Sequence, residues 1–197
     1  RRQWVASESL GVGLHATRSL DALDVRWVIG GSLASIVYGQ VRTTMDADIV
    51  ADLHVEHVPA FRDLLAEGFY VPDEATMRQA IENRRSFNLV HLDTMFKIDL
   101  FIPGRRSFDQ QQLAGRVAEQ LSEPAEGQLW ILSPENTVLA KLDWYRMGGE
   151  SSERQWRDVL GVLKTQQRRL DLAYLKLWAG TLQVLDLLER ALEEASR

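Results

Sequence analysis

The first two thirds of the chain alternate between short apolar runs and segments with helical spacing, and turn residues separate them. Short apolar runs between turn residues are typical of strands, whereas apolar positions three and four residues apart are typical of amphipathic helices. Strands are predicted at residues 26–29, 46–52, 69–71, 86–92, 95–102 and 129–132. Helices are predicted at residues 1–20, 32–39, 55–67, 73–84 and 108–121.

The pattern changes to continuous helix after Ser133, because serine followed by proline at the first helical position is a common helix start. The two glycines at 148–149 end that helix, and residues 152–155 have the form of a capping box for the next one. Two further leucine-rich helices follow. We therefore predict an α+β module at residues 1–132 and a helical module at residues 133–197 packed on it.

A diglycine followed by serine separates the first predicted strand from the helix after it. Gly30 and Gly31 allow the backbone to approach a ligand closely, and Ser32 is the predicted N-cap of the helix. A helix N-terminus presents free N–H groups and a partial positive charge, which bind phosphate. Taken alone, this pattern is also typical of an ordinary tight turn into a capped helix.

Two aspartates, Asp46 and Asp48, alternate with apolar residues in the strand predicted at 46–52. Side chains two positions apart on a strand share a face, so these carboxylates repel each other unless a cation separates them. Asp99 interrupts the apolar strand at 95–102, where a buried carboxylate without a partner is costly. Three such carboxylates are suitable ligands for Mg²⁺ or Mn²⁺. Taken alone, Asp46 and Asp48 also fit a solvated strand edge.

Together these residues resemble the nucleotidyltransferase (polymerase β-like) superfamily, whose pattern is Gly-Gly or Gly-Ser, a connecting segment, Asp-x-Asp and a later acid. In this chain residues 33–45 connect Ser32 to Asp46, and Asp99 is the later acid. The sequence is most similar to the minimal and abortive-infection-type nucleotidyltransferases of toxin–antitoxin pairs. Arg42 and Thr44 complete the Arg-x-Thr-x-Asp-x-Asp pattern of those proteins.

The resemblance implies an α+β fold, with a nucleotidyltransferase-type mixed β-sheet flanked by helices and followed by a C-terminal helical bundle. It implies transfer of a nucleoside monophosphate from a nucleoside triphosphate (NTP), such as ATP, to an acceptor hydroxyl, with Mg²⁺ or Mn²⁺ as the cofactor. Asp46 and Asp48 would bind both metal ions. Asp99 would complete the metal site on the acceptor side and help to activate the acceptor.

The resemblance also implies contacts with the triphosphate. Gly30, Gly31 and Ser32 would hold its β and γ phosphates. Arg42 would contact phosphate, and the alternative is a surface loop. Lys141 would neutralise the triphosphate as a catalytic charge clamp, and the alternative is a solvated helix face.

Two further charged residues have open roles. Lys97 lies on the same strand face as Asp99 and is either a phosphate contact or the partner of that acid. Asp158 corresponds to a later acid of the resembled family, and the alternative is a helix-surface carboxylate paired with Arg154 or Arg157.

Charge and composition narrow the classes of partner. Lysine and arginine number 23 and aspartate and glutamate 28, which gives a net charge of −5. This balance disfavours an extended nucleic-acid-coating surface but allows a small basic site. The absence of cysteine excludes disulfides, thiolate nucleophiles and cysteine-ligated metals. No apolar run reaches the ~18 residues of a membrane span and no apolar leader is apparent, so we expect a cytoplasmic protein without a membrane partner.

The acceptor is not determined by the sequence. A tRNA or other RNA end, a protein side chain and a small molecule such as an aminoglycoside are the alternatives. In a toxin–antitoxin pair, the partner would be a cognate antitoxin or a second copy of the chain. Two other functions also stay open: a catalytically silent nucleotide-binding or antitoxin-like partner protein, and an antibiotic nucleotidyltransferase with an acidic pocket for a cationic drug.

Overall fold

Strands form a mixed sheet in the computed structural model, which describes residues 8–39, 44, 46–120 and 128–197, without the side chains of 8–10 and 120. In these residues the strands are β1 Trp27–Ile29, β2 Asp46–Ala51, β3 Phe69–Tyr70, β4 Ser86–His91, β5 Lys97–Phe101, β6 Arg116–Gln120 and β7 Gln128–Leu132. They lie side by side in the order β3-β4-β5-β2-β1-β7-β6.

The helices of the same described residues are spread along the whole chain. They are α1 Glu8–Asp21, α2 Gly31–Tyr38, α3 Val58–Leu65, α4 Glu74–Glu82, α5 Ser107–Ala114, α6 Pro134–Met147, α7 Glu153–Gln166, α8 Leu172–Thr181 and α9 Leu185–Ser196. A short 3-10 turn, Val55–His57, precedes α3. Within this part of the chain, no helix combines the length and apolar character needed to cross a membrane.

The sheet pairs its strands in both directions. β2 is antiparallel to β1 and parallel to β5, and β1 is parallel to β7. β4 is antiparallel to both β3 and β5. Helices and a mixed sheet in one chain confirm the predicted α+β class.

The described residues up to Ile29 and from Thr44 to Ile131 form one compact unit, which contains the sheet. Helices α1 and α4 contact the sheet at β2 and β4, and α3 packs against both helices. The largest buried side chains of this unit include Phe61 and Leu89, which are fully enclosed. The core of the unit therefore lies between the sheet and these helices.

The helix predicted at 108–121 is wrong in its second half. α5 ends before Gly115, and β6 follows directly. The Arg116 guanidinium donates to the carbonyl oxygen of Trp27 at 2.8 Å and lies 4.2 Å from the ring centroid of Trp130. Loss of solvation on burial lowers the pKa of Arg116. These contacts between distant parts of the chain favour a strand where local sequence alone suggested continuation of the helix.

Gly30–Gly39 and Leu132–Arg197 form the second compact unit of described residues, which is helical. α2 packs against α6 and α7, and α9 packs against α7 and α8. The Arg190 guanidinium lies 4.0 Å from the Trp156 ring centroid, and the Trp156 indole N–H donates to Glu194 at 3.0 Å. These contacts join α7 to α9. The division after residue 132 into two domains stays a prediction.

Two predicted helix starts in this unit are confirmed. The Ser133 hydroxyl accepts from the N–H of Asn136 at 3.1 Å and caps α6. The Ser152 hydroxyl accepts from the N–H of Gln155 at 3.4 Å and caps α7. Each bond satisfies one N–H group of a first helical turn, which has no acceptor inside the helix.

Gly39 allows the backbone at the end of α2 to lie close to the backbone of α7. A Cβ at Gly39 would lie 2.7 Å from the carbonyl oxygen of Ser35 and 3.2 Å from backbone atoms of Gly161 and Val162. We expect Gly39→Ala to lower the free energy of unfolding by about 1–3 kcal/mol, because backbone atoms cannot easily move aside. Gly180→Ala in α8 is the matched control, since nothing lies within 4 Å of its added Cβ.

We expect the Gly180→Ala control to raise the free energy of unfolding by about 0.5–1 kcal/mol, because alanine favours a helix more than glycine does. Urea unfolding of both variants measures the two effects. A Gly39→Ala protein as stable as the unchanged chain would contradict the close approach of α2 to α7.

Candidate active site

The alternation predicted for Asp46 and Asp48 is present on β2. Ala47, Ile49 and Ala51 are at most 1% exposed, whereas the two aspartates are half-buried. Because the side-chain period of a strand is two, both carboxylates lie on the face opposite these core residues. The local sequence thus pairs the two acids before any tertiary contact is considered.

β5 brings the third acid to the same face. Asp99 is the register partner of Asp48, and Lys97 is the register partner of Asp46. Register partners on neighbouring strands, about 4.8 Å apart, point to the same side of a sheet. Ile98 points to the other side and is fully buried. The structure therefore brings Asp46, Asp48 and Asp99 together, and we name these three residues the acid cluster.

An ammonium group lies against the acid cluster. The Nζ atom of Lys97 is 2.9 Å from Oδ2 of Asp99, and the two side chains are 44% and 18% exposed. The hydrogen bond to Asp99 raises the pKa of Lys97, and attraction to Asp46 and Asp48 acts in the same direction, against partial desolvation. Lys97 is therefore the partner of Asp99, which is one of the two roles that the sequence left open.

Thr44 fixes the orientation of Asp46. Its hydroxyl donates to Oδ1 of Asp46 at 2.7 Å and lies 3.3 Å from the carbonyl oxygen of the same residue. A carboxylate held in this way loses rotational freedom about its side-chain bonds. Thr44 belongs to the Arg-x-Thr-x-Asp-x-Asp pattern, but only the structure shows that it positions the first aspartate of that pattern.

The acid cluster has a donor set that fits a hard divalent cation. Carboxylate oxygens are the preferred ligands of Mg²⁺ and Mn²⁺, and the Lys97 ammonium already acts as a cation at these carboxylates. In the part of the chain that the structure describes, no three histidine or acidic side chains are arranged to hold a metal ion as they stand. A metal ion held by all three carboxylates of the acid cluster at once therefore requires a rearrangement of side chains.

Asn88 is a polar residue of this face that the sequence analysis did not single out. It lies on β4 as the register partner of Asp99 and is exposed, whereas Phe87 and Leu89 on either side are buried. Its side-chain amide can both donate and accept hydrogen bonds beside the acid cluster. The available signal was the polar–apolar alternation of β4, together with the short connection that pairs β4 with β5.

The glycine-rich segment opens α2 in the second unit. Gly31 has φ of +53°, in the left-handed region that disfavours residues with a side chain. The predicted N-cap at Ser32 is wrong, because Gly30 is the N-cap and accepts the first helical bond from the N–H of Ala34 at 3.1 Å. Gly30 has no side chain and therefore makes no side-chain cap bond to this helix start. Arg42 lies outside the described residues.

Lys141 and Asp158 form an ion pair within the second unit. Nζ of Lys141, on α6, is 2.9 Å from Oδ2 of Asp158, on α7, and the side chains are only 10% and 11% exposed. The alternatives of a solvated helix face for Lys141 and a helix-surface carboxylate for Asp158 are therefore wrong. Burial makes each charge dependent on the other. Contact between Lys141 and a triphosphate stays a prediction.

The chain is similar in structure to solved proteins. No family model and no curated protein matches the chain. An antigenic nucleotidyltransferase-like protein from Paracoccidioides brasiliensis has a TM-score of 0.56 and 18% sequence identity, over 95% of this chain and 93% of its own. The lincosamide antibiotic adenylyltransferase LnuA, in a lincomycin-bound structure, has a TM-score of 0.51 and 14% identity, over 80% of this chain and 96% of its own.

Both similarities cover most of the chain and nearly all of the compared proteins. At such low sequence identity, what they define is the fold. They agree with the mixed sheet and with the fold implied by the Gly-Gly-Ser, Asp-x-Asp and Asp99 pattern. The chain therefore has the nucleotidyltransferase fold, and that expectation is confirmed.

Proposed function

We propose that this chain is a metal-dependent nucleotidyltransferase, an enzyme that moves a nucleoside monophosphate from an NTP to an acceptor hydroxyl. The acid cluster carries this proposal: three carboxylates lie on one face of two adjacent strands, with a cation held against them. Carboxylates placed together repel one another, and a metal-binding role accounts for that arrangement. The nucleotidyltransferase fold supports the same class of reaction.

In the proposed reaction, the oxygen of the acceptor hydroxyl attacks the α-phosphorus of the NTP. The new P–O bond forms while the bond from the α-phosphorus to the bridging oxygen breaks, and pyrophosphate leaves. Asp46 and Asp48 would hold both divalent cations. Asp99 would complete the metal site on the acceptor side and help to activate the acceptor hydroxyl by receiving its proton. When bound, Mg²⁺ or Mn²⁺ supplies charge stabilisation for the attacking oxygen and for the leaving pyrophosphate.

Gly30, Gly31 and Ser32 are the proposed contacts for the β and γ phosphates. The left-handed conformation of Gly31 at the start of α2 supports this role, because glycine lets a backbone approach a ligand closely and a helix N-terminus favours phosphate. Arg42 is a further proposed phosphate contact, from its place in the sequence pattern. For Lys141, a charge clamp on the triphosphate is proposed, and its buried ion pair supports a structural role as the alternative.

Two likenesses support different classes of acceptor. The resemblance to toxin–antitoxin nucleotidyltransferases supports an RNA end, such as that of tRNA, or a protein hydroxyl, with a cognate antitoxin or a second copy as partner. The fold shared with LnuA, an antibiotic adenylyltransferase, supports a small-molecule acceptor. A catalytically silent, antitoxin-like partner protein would keep the fold without turnover.

Replacement of Asp48 by asparagine tests the reaction. The change removes one carboxylate charge and hardly alters the side-chain volume. We expect Asp48→Asn to lower transfer by about 100-fold or more, since even partners behind a metal ligand contribute about 10–100-fold. Each α-³²P-labelled NTP is incubated with Mg²⁺ or Mn²⁺ and with total cellular RNA, the protein itself, lincomycin or an aminoglycoside as acceptor.

Asp93→Asn is the matched control, because Asp93 lies exposed in the turn between β4 and β5. It should transfer label as the unchanged protein does. Label that disappears in Asp48→Asn alone would establish transferase chemistry and identify the acceptor class. Absence of both transfer and NTP binding under every condition would contradict the enzyme and favour the silent partner protein.

Replacement of Thr44 by valine tests the positioning of Asp46. The variant lacks the hydroxyl that donates to Oδ1 of Asp46 at 2.7 Å, so the carboxylate gains rotational freedom. We expect a drop in kcat of about 10-fold, with Thr44→Ser close to the unchanged rate. Steady-state kinetics with the identified acceptor measures this difference. Equal kcat values for the valine and serine variants would show that the hydroxyl does not position Asp46.

Lys141→Ala tests the buried ion pair. Loss of the lysine charge next to the buried Asp158 should lower the free energy of unfolding by about 3–5 kcal/mol, and Lys141→Met/Asp158→Leu should recover most of it. Urea unfolding measures both effects, and full stability of Lys141→Ala would contradict a structural pair. NTP affinity of the folded double variant then tests the clamp: it falls if Lys141 contacts phosphate and is unchanged if the pair is only structural.

A further inference from the structure

The acid cluster has a cation built into its own strand. Lys97 is two positions before Asp99 on β5, so both side chains share one face, and it is the register partner of Asp46 on β2. Its ammonium lies 2.9 Å from Oδ2 of Asp99. The backbone therefore directs this lysine to the carboxylates that the proposed function assigns to metal ions.

The two partners of this ion pair differ in their freedom to move. The Asp99 side chain is 18% exposed and short, whereas the Lys97 side chain is 44% exposed and carries its charge on a flexible four-carbon stem. The ammonium can therefore leave the pair while the carboxylate stays. A divalent cation bound through Oδ2 of Asp99 would compete with the ammonium for that oxygen, and two cations at one carboxylate repel each other.

We propose that Lys97 is the resident counter-cation of the acid cluster. Its ammonium occupies the position of a metal ion at Asp99 and leaves that position when a divalent cation binds. This inference rests on the proposed function, in which Asp46, Asp48 and Asp99 are the metal ligands. Lys97 thereby lowers the affinity for metal and offsets one of the three carboxylate charges in the metal-free protein. It acts through Asp99 and is a positioning residue.

Direct Mn²⁺ binding, followed by the electron paramagnetic resonance signal of free Mn²⁺, tests the inference without a catalytic assay. We expect Lys97→Met to bind Mn²⁺ about 10-fold more tightly than the unchanged chain, because a neighbouring charge commonly changes the cation affinity of a carboxylate by that factor or more. Lys97→Arg keeps the charge and should bind Mn²⁺ as the unchanged chain does. Asp48→Asn should lose the site.

The outcomes separate this inference from the proposed function. Mn²⁺ binding that Asp48→Asn abolishes and Lys97→Met leaves unchanged would overturn the role of Lys97 and keep the metal site. If the unchanged chain and Asp48→Asn bind Mn²⁺ equally weakly, the metal site itself is wrong, and the proposed function fails with it.

A second measurement uses the unchanged chain and does not depend on the folding of a Lys97 variant. The sequence has four lysines, at 97, 141, 164 and 176, so ¹³Cε-labelled lysine gives a simple NMR spectrum. Titration with Mg²⁺ should move the Lys97 signal towards those of Lys164 and Lys176, which are exposed. The Lys141 signal should stay in place, since its partner is Asp158.

The shift of the Lys97 signal should saturate with Mg²⁺ and be absent in Asp48→Asn. A Lys97 signal that stays in place while Mg²⁺ binds would show that the ammonium remains at Asp99, and the inference would be wrong. A movement of all four signals together would indicate a general salt effect and would likewise count against displacement of Lys97.

Discussion

The parallel register of β2 against β5 is the constraint on which the acid cluster depends. It sets Asp48 beside Asp99, while Ile49 and Ile98 point to the core on the opposite side. A slip of one residue would turn Asp99 into the core and expose its apolar neighbours, because the side-chain period of a strand is two. The burial of the apolar positions therefore fixes the positions of the carboxylates, because the core residues and the acid cluster lie on opposite faces of the same two strands.

This arrangement concentrates negative charge, and Lys97 offsets it from within the same strand. A lysine at this position is brought to the open face by the same alternation that brings Asp99 there. Thr44 restrains Asp46 by a hydrogen bond rather than by charge. Asp46 and Asp99 are thus held by two different means, and the contact at Asp99 uses a group that a second cation can replace.

Much of this site was readable from the sequence because it depends on local periodicity. The alternation around Asp46 and Asp48 predicted their common face, and the apolar run around Asp99 predicted a strand. The place of Asp99 beside Asp48 needed the pairing of β2 with β5, which are far apart in sequence. The choice between two roles for Lys97 needed the side-chain geometry of its ion pair with Asp99, and the place of Asn88 needed the register of β4 against β5. Periodicity alone contains no information about which strands are neighbours.

The two local errors have the same physical origin. β6 was mistaken for helix because its pairing position and the Arg116 contacts with Trp27 and Trp130 come from distant segments. The N-cap of α2 is Gly30 rather than the predicted Ser32, because glycine can take the cap position even though serine is the commoner cap. Each error concerns backbone conformation that neighbouring residues do not determine.

The placement of a lysine on β5 also bears on how fold and metal binding are related. Because Lys97 is covalently part of the strand that carries Asp99, its charge is present as soon as β5 pairs with β2, whatever the concentration of divalent cations. Without a resident cation, repulsion within the acid cluster would oppose this pairing until metal arrived. With Lys97 in place, β2 and β5 can pair before a divalent cation binds. The carboxylates are then already on one face when that cation replaces the ammonium.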